Sequence, residues 1–198
     1  PTAAYKAAVQ VIFDRLSKET GLTFSEVADT SSSYGQIRFG ANQQATTKGY
    51  SYIPGQVKDD RAGDVWLDVE TLQLMAKGQE GWDVLLHEIG HGLGFIGQVG
   101  VDNGKAGYGF PGIFDQFIVN TASQKLMDTV LFKNPSVALY TELTSNSANL
   151  STPSILRTNN EPAKLYTPST FSAGSSIYHV DQVKYKVGDP DALMTPQI

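Results

Sequence analysis

A pair of histidines constrains this chain more than anything else in it. His87, Glu88 and His91 form a His-Glu-x-x-His motif, and the 198 residues contain only three histidines. Residues four apart share a helix face. The motif therefore predicts a helix from about Trp82 to Gly92 with both imidazoles on one side. At about 100° per residue, Trp82, Leu85, Ile89 and Leu93 form the opposite side and read as core. His87, His91 and Val84 face a cleft, with Glu88 at their flank. Gly90, Gly92 and Gly94 are poor helix residues, so the helix should stop soon after His91.

The residue types suit metal-assisted hydrolysis. Two neutral nitrogens hold the ion, a position stays open for water, and Glu88 takes the water's proton. Two histidines do not complete such a site, because catalytic zinc is usually held by three protein ligands. The candidates for a third are His179, the last histidine, and the downstream carboxylates Asp102, Asp115, Glu142 and Glu161. The chain has no cysteine, which excludes thiolate ligands, disulfides and a cysteine nucleophile.

Composition narrows the class. With 40% apolar and 18% charged residues the chain reads as one globular domain, 1–198, split into subdomains of about 1–94 and 95–198 with a cleft between them. A net charge of -5 and the lack of a basic stripe argue against nucleic-acid binding. No apolar run reaches the ~20 residues of a membrane helix. A chain beginning at Pro1 reads as a mature form from which any signal peptide or pro-segment has been removed. Much Gly, Ser, Thr, Asn and Tyr gives the look of an exported bacterial protein, and a monomer is expected.

The local patterns predict an α+β fold. Ala4, Ala8, Val11, Ile12 and Leu16 mark a helix over 2–18, closed by Gly21. Leu22 to Val27, Gln36 to Phe39 and Tyr50 to Ile53 look like short strands. Val65 to Val69 alternates, with Val65, Leu67 and Val69 on one side and Trp66 and Asp68 on the other. Ile113 to Val119 and Leu126 to Phe132 are apolar but ambiguous, and 144–160 reads as polar surface loop. Asp59, Asp60 and Asp64 form an acidic loop, either merely solvated or able to hold Ca²⁺.

With these residues in view, the chain resembles the metzincin zinc endopeptidases. Gln36-Ile37-Arg38-Phe39-Gly40, Gly49-Tyr50-Ser51-Tyr52-Ile53-Pro54-Gly55 and Gly63-Asp64-Val65-Trp66-Leu67 resemble the early strands of serralysins and matrixins. His87-Glu88-Ile89-Gly90-His91-Gly92-Leu93-Gly94 resembles the start of their zinc signature. Ala192-Leu193-Met194-Thr195-Pro196 resembles the Met-turn, in which a methionine underlies the metal. One position departs from the pattern: where the short signature has its third histidine, this chain has Gly97. Leishmanolysin-type members insert a long segment at this point. The run Gly174-Ser175-Ser176-Ile177-Tyr178-His179, followed by Met194, is similar to that plan.

The resemblance implies a twisted mixed sheet with a backing helix and an active-site helix, then an irregular C-terminal subdomain ending in a Met-turn. It implies one Zn²⁺ on His87, His91 and His179, with Glu88 as general base in cleavage of internal peptide bonds. It also implies that the strand containing Val65, Trp66 and Leu67 is an edge on which an extended protein or peptide substrate pairs. The insert 95–178 has no counterpart to guide its structure. Two alternatives stay open: a zinc hydrolase with a carboxylate such as Asp115 or Glu142 in place of His179, and a catalytically silent binding module on the same fold.

Overall fold

The structure, a computed structural model, describes residues 1–30, 32–186 and 194–196. It is an α+β fold with small sheets and, among the described residues, four α-helices. Two compact units divide the chain, Pro1–Leu93 and Gly94–Gln197. Each has its own buried apolar cluster.

In the first unit, α1 (Ala3–Thr20) starts at Thr2, whose hydroxyl accepts the Tyr5 N–H. It ends at Gly21, which sits at φ 75°, a left-handed geometry that a residue without Cβ adopts freely. The buried stripe is Tyr5, Ala8 and Ile12. Ala4 and Val11, expected on that stripe, are exposed, because the helix is rotated to bury the large Tyr5 ring.

Three short strands follow: β1 (Phe39–Asn42), β2 (Gly49–Ser51) and β3 (Val65–Asp68). Their order is β1-β3-β2, with β1 parallel and β2 antiparallel to β3. Val65 and Leu67 are fully buried, as their alternation predicts, while Val69 lies past the strand and is exposed. The stretch 22–27, read as a strand, is irregular, and both Leu22 and Val27 are exposed. Apolar alternation without a neighbouring edge to pair with does not make a strand.

Helix α2 (Glu80–Gly92) packs over β2 and β3. Leu85 and Ile89 are buried in the core, each worth about 1.5–3 kcal/mol relative to exposure. Val84, expected on the cleft side, is also buried, and Leu93, expected in the core, is 43% exposed. Gly49 accounts for the first difference. A Cβ on it would stand 2.9 Å from Val84 Cγ1, so its bare backbone lets the helix settle with Val84 against β2. The helix ends as the glycines predict, with Leu93 N–H on the Ile89 carbonyl and Gly94 at φ 94°.

The second unit begins with a hairpin, β4 (Val99–Asp102) and β5 (Lys105–Tyr108). Asn103 and Gly104 turn it at φ 48° and 70°, the Asn-Gly chemistry that suits a two-residue hairpin. A three-stranded antiparallel sheet has the order β6 (Ile118–Val119), β7 (Asn149–Leu150), β8 (Ala163–Lys164). Ser136 caps α3 (Val137–Glu142) and Thr152 caps α4 (Pro153–Asn159), each through its hydroxyl. The polar stretch 144–160 is thus not all loop, since it holds β7 and the whole of α4. Thr152 as cap, Pro153 in the first turn and left-handed Asn160 at the end define that helix locally. No described helix is long and apolar enough to cross a membrane.

Candidate metal centre

Helical spacing places the first two histidines. His87 and His91 present their Nε2 atoms 3.1 Å apart, with the rings edge to face at 86°. Two nitrogens at zinc-bonding distance from one tetrahedral ion stand about 3.3 Å apart, so the pair has the spacing of two ligands. His179 joins them: each of the three offers one ring nitrogen, and these atoms lie within 4.8 Å of one another. Three neutral imidazoles so placed can hold a metal ion, and the donor set suits a borderline divalent cation such as Zn²⁺.

His179 is oriented by backbone. Its Nδ1 lies 3.1 Å from the Ser175 carbonyl oxygen. A carbonyl can only accept, so Nδ1 carries the proton and Nε2 keeps its lone pair for a metal. Around it the chain is tied at several points. The Tyr166 N–H reaches the His179 carbonyl at 2.9 Å, and the Ile177 N–H reaches the Tyr166 carbonyl at 2.9 Å. The Val180 N–H bonds the Met194 carbonyl at 2.6 Å. Ile177 holds a left-handed backbone at φ 60°, rare for a β-branched residue, while its side chain is fully buried. It packs onto Gly97, where an added Cβ would fall 2.3 Å from Ile177 Cδ1. The position that holds a histidine in the short signature is therefore bare so that the segment carrying His179 can lie on it.

Met194 and Thr195 are buried, at 7% and 1% exposure. Of the predicted Met-turn, Ala192 and Leu193 lie outside the described residues.

Glu88 is 9% exposed on the same helix as the histidine pair. Burial pushes its carboxyl up to about 7, and a hydrogen bond from Ser51 pulls the other way. The Ser51 hydroxyl lies 2.8 Å from Glu88 Oε2 and 2.6 Å from the Glu88 carbonyl oxygen. On the same strand face, Gly49 leaves room for the Glu88 side chain, since a Cβ there would meet Glu88 Cγ at 3.1 Å. The sequence reading missed both residues as parts of the site. Their signal was there: a glycine and a serine two apart on a short strand share a face.

Two expectations need correcting. Val65, Trp66 and Leu67 do not form an edge: β3 is the central strand, paired with β1 on one side and β2 on the other. Its backbone is engaged within the sheet and has no free edge to offer a substrate. Nor do the alternative carboxylates join the histidines. Asp115 is fully buried and accepts the Gln98 and Gly112 N–H groups at 2.9 and 2.7 Å. Glu142 is bonded by Asn120 and Ser147, Glu161 by Lys184, and Asp102 by Asn103.

The acidic loop engages its carboxylates with arginine. Arg61 pairs with Asp59, and Arg38 with Asp60 and, through two nitrogens, with buried Asp64. Among the described residues, the histidine trio is the one group able to hold a metal, so the calcium expectation finds no support there.

No family model, curated protein or solved structure matches this chain.

Proposed function

We propose that this chain is a zinc-dependent endopeptidase of the metzincin type, with His87, His91 and His179 holding the ion and Glu88 as general base. The observation that supports it is the convergence of three ring nitrogens within 4.8 Å, with a carboxyl one residue from the first of them. Bound Zn²⁺ supplies the Lewis acidity that brings a water's pKa toward ~7 and polarises a peptide carbonyl.

The chain's own residues do the rest. Glu88 takes the proton of the attacking water and delivers it to the leaving amine. Its setting suits the role, because the carboxyl is buried on the helix that carries His87 and His91 and is bonded by the Ser51 hydroxyl. His179 Nδ1–H on the Ser175 carbonyl fixes the ligand ring. β2 borders its sheet and contains Ser51, which touches Glu88. An extended peptide pairing along β2 would gain backbone hydrogen bonds with little demand on sequence. β2 thus takes the substrate role first assigned to Val65, Trp66 and Leu67.

Zinc titration of metal-free protein should give one ion per chain, and a quenched-peptide assay should show cleavage that a chelator abolishes and zinc restores. Glu88→Gln should keep the ion and lower kcat by about 10²–10⁴-fold. Full turnover in that variant would sink the assignment of the base.

A further inference from the structure

We infer that Ser51 is a positioning residue: its hydroxyl anchors one oxygen of Glu88, Oε2, and so fixes the plane of the carboxyl. The inference rests on the peptidase reading above and adds to it a residue that orients the base.

Three observations support it. First, the Ser51 hydroxyl is the one hydrogen-bond partner of the Glu88 carboxyl among the described residues, and it meets Oε2 alone. Second, the same hydroxyl is 2.6 Å from the Glu88 carbonyl oxygen, so it has two acceptors on one residue. Its single proton can turn to either. Both acceptors belong to Glu88, so either bond ties β2 to that residue, and the one to Oε2 orients the carboxyl. Third, β2 is shaped for this contact. Gly49 and Ser51 share a strand face, Gly49 admitting the Glu88 stem and Ser51 meeting its head.

A glutamate side chain has three rotatable bonds, and freezing them in a productive geometry is what a positioned base needs. Packing alone fixes the stem; the Ser51 bond fixes the rotation of the carboxyl plane. Ser51 keeps its own proton throughout and acts through the orientation of Glu88.

The test uses the full chain with Ser51→Ala and Ser51→Thr. With zinc loaded, Ser51→Ala should lower kcat by about 10–100-fold with KM and zinc affinity within about twofold of wild type, and Ser51→Thr should restore most of kcat. Crystals of the metal-free proteins give a second readout. Glu88 should hold one carboxyl orientation in wild type and Ser51→Thr, and several in Ser51→Ala. An unchanged kcat in Ser51→Ala, or a Glu88 carboxyl that keeps its place without the hydroxyl, overturns the inference. If the wild type binds no zinc or cleaves no peptide, the peptidase reading fails instead, and the crystals still decide whether Ser51 orients Glu88.

Discussion

Helix α2 and the loop 174–181 each present histidine, and they do so by opposite means. In α2 the backbone repeats, so four-residue spacing alone stacks His87 above His91, while buried Leu85 and Ile89 hold the other face down. In the loop nothing repeats. His179 is held by separate ties: Ser175 on its ring, Tyr166 on its carbonyl, and Ile177 seated on Gly97 in a left-handed backbone conformation that β-branched residues rarely adopt. The comparison teaches that a regular element tolerates loss of any one contact, whereas an irregular one depends on each.

The largest effect that could break this contrast comes from the ligands themselves. His179→Ala and His91→Ala should each weaken zinc binding by more than the ~100-fold typical of outer-shell changes, as read by competition with a chromophoric chelator. Zinc retained at full stoichiometry in His179→Ala would remove the loop from the site.

Next in size is Gly97→Ala. The new Cβ would crowd Ile177, which is fully buried and has nowhere to retreat, so a loss of about 1–3 kcal/mol in urea denaturation is expected, together with weaker zinc binding. Normal stability and affinity would show that the loop bends as readily as the helix.

Asp181→Ala probes the far end of the loop. Its Oδ1 accepts the Val183 and Lys184 N–H groups at 2.7 and 2.9 Å, and losing that cap should cost about 1 kcal/mol in thermal or urea unfolding.

The smallest effect is a pH dependence in the scaffold beneath the loop. Burial raises the Asp115 carboxyl above the usual range, and the Gln98 and Gly112 N–H bonds offset part of that. A raised carboxyl favours the folded protein while protonated, and that contribution fades as pH rises through the folded pKa. Wild type should therefore lose stability relative to Asp115→Asn as pH rises above the ordinary Asp value of about 3.9, measured by urea denaturation at each pH. A gap that stays flat would mean that burial does not govern this group.

Much of the helix side was legible in the residues. The His-Glu-x-x-His spacing, the glycine stop after His91 and the capped first helix all depend on neighbours within four residues, and all appear in the structure. Two other elements also carry local signals: Asn103-Gly104 as a hairpin turn, and Thr152-Pro153 as a helix start. Polar composition alone suggests loop there, but the Thr152 hydroxyl and the first-turn Pro153 decide for helix.

His179 as the third nitrogen was anticipated from resemblance and elimination, and its ring does stand with the other two. Its supports could not be read, because Tyr166, Ile177 and Gly97 are far apart in the chain and nothing local marks them as partners. The same limit explains the error over Val65, Trp66 and Leu67. Alternation reveals that a strand is half buried but not how many neighbours it has, and strand order arises from pairing over long separations.

By itself the sequence determined what short-range sterics and periodicity control: where α1 and α2 lie, where they end, and that two imidazoles share a face. Only the tertiary structure decided that β3 is central, that Ser51 and Gly49 face Glu88, and that Gly97 supports Ile177. These contacts join residues tens of positions apart, and they form through packing and hydrogen bonding that no local pattern encodes.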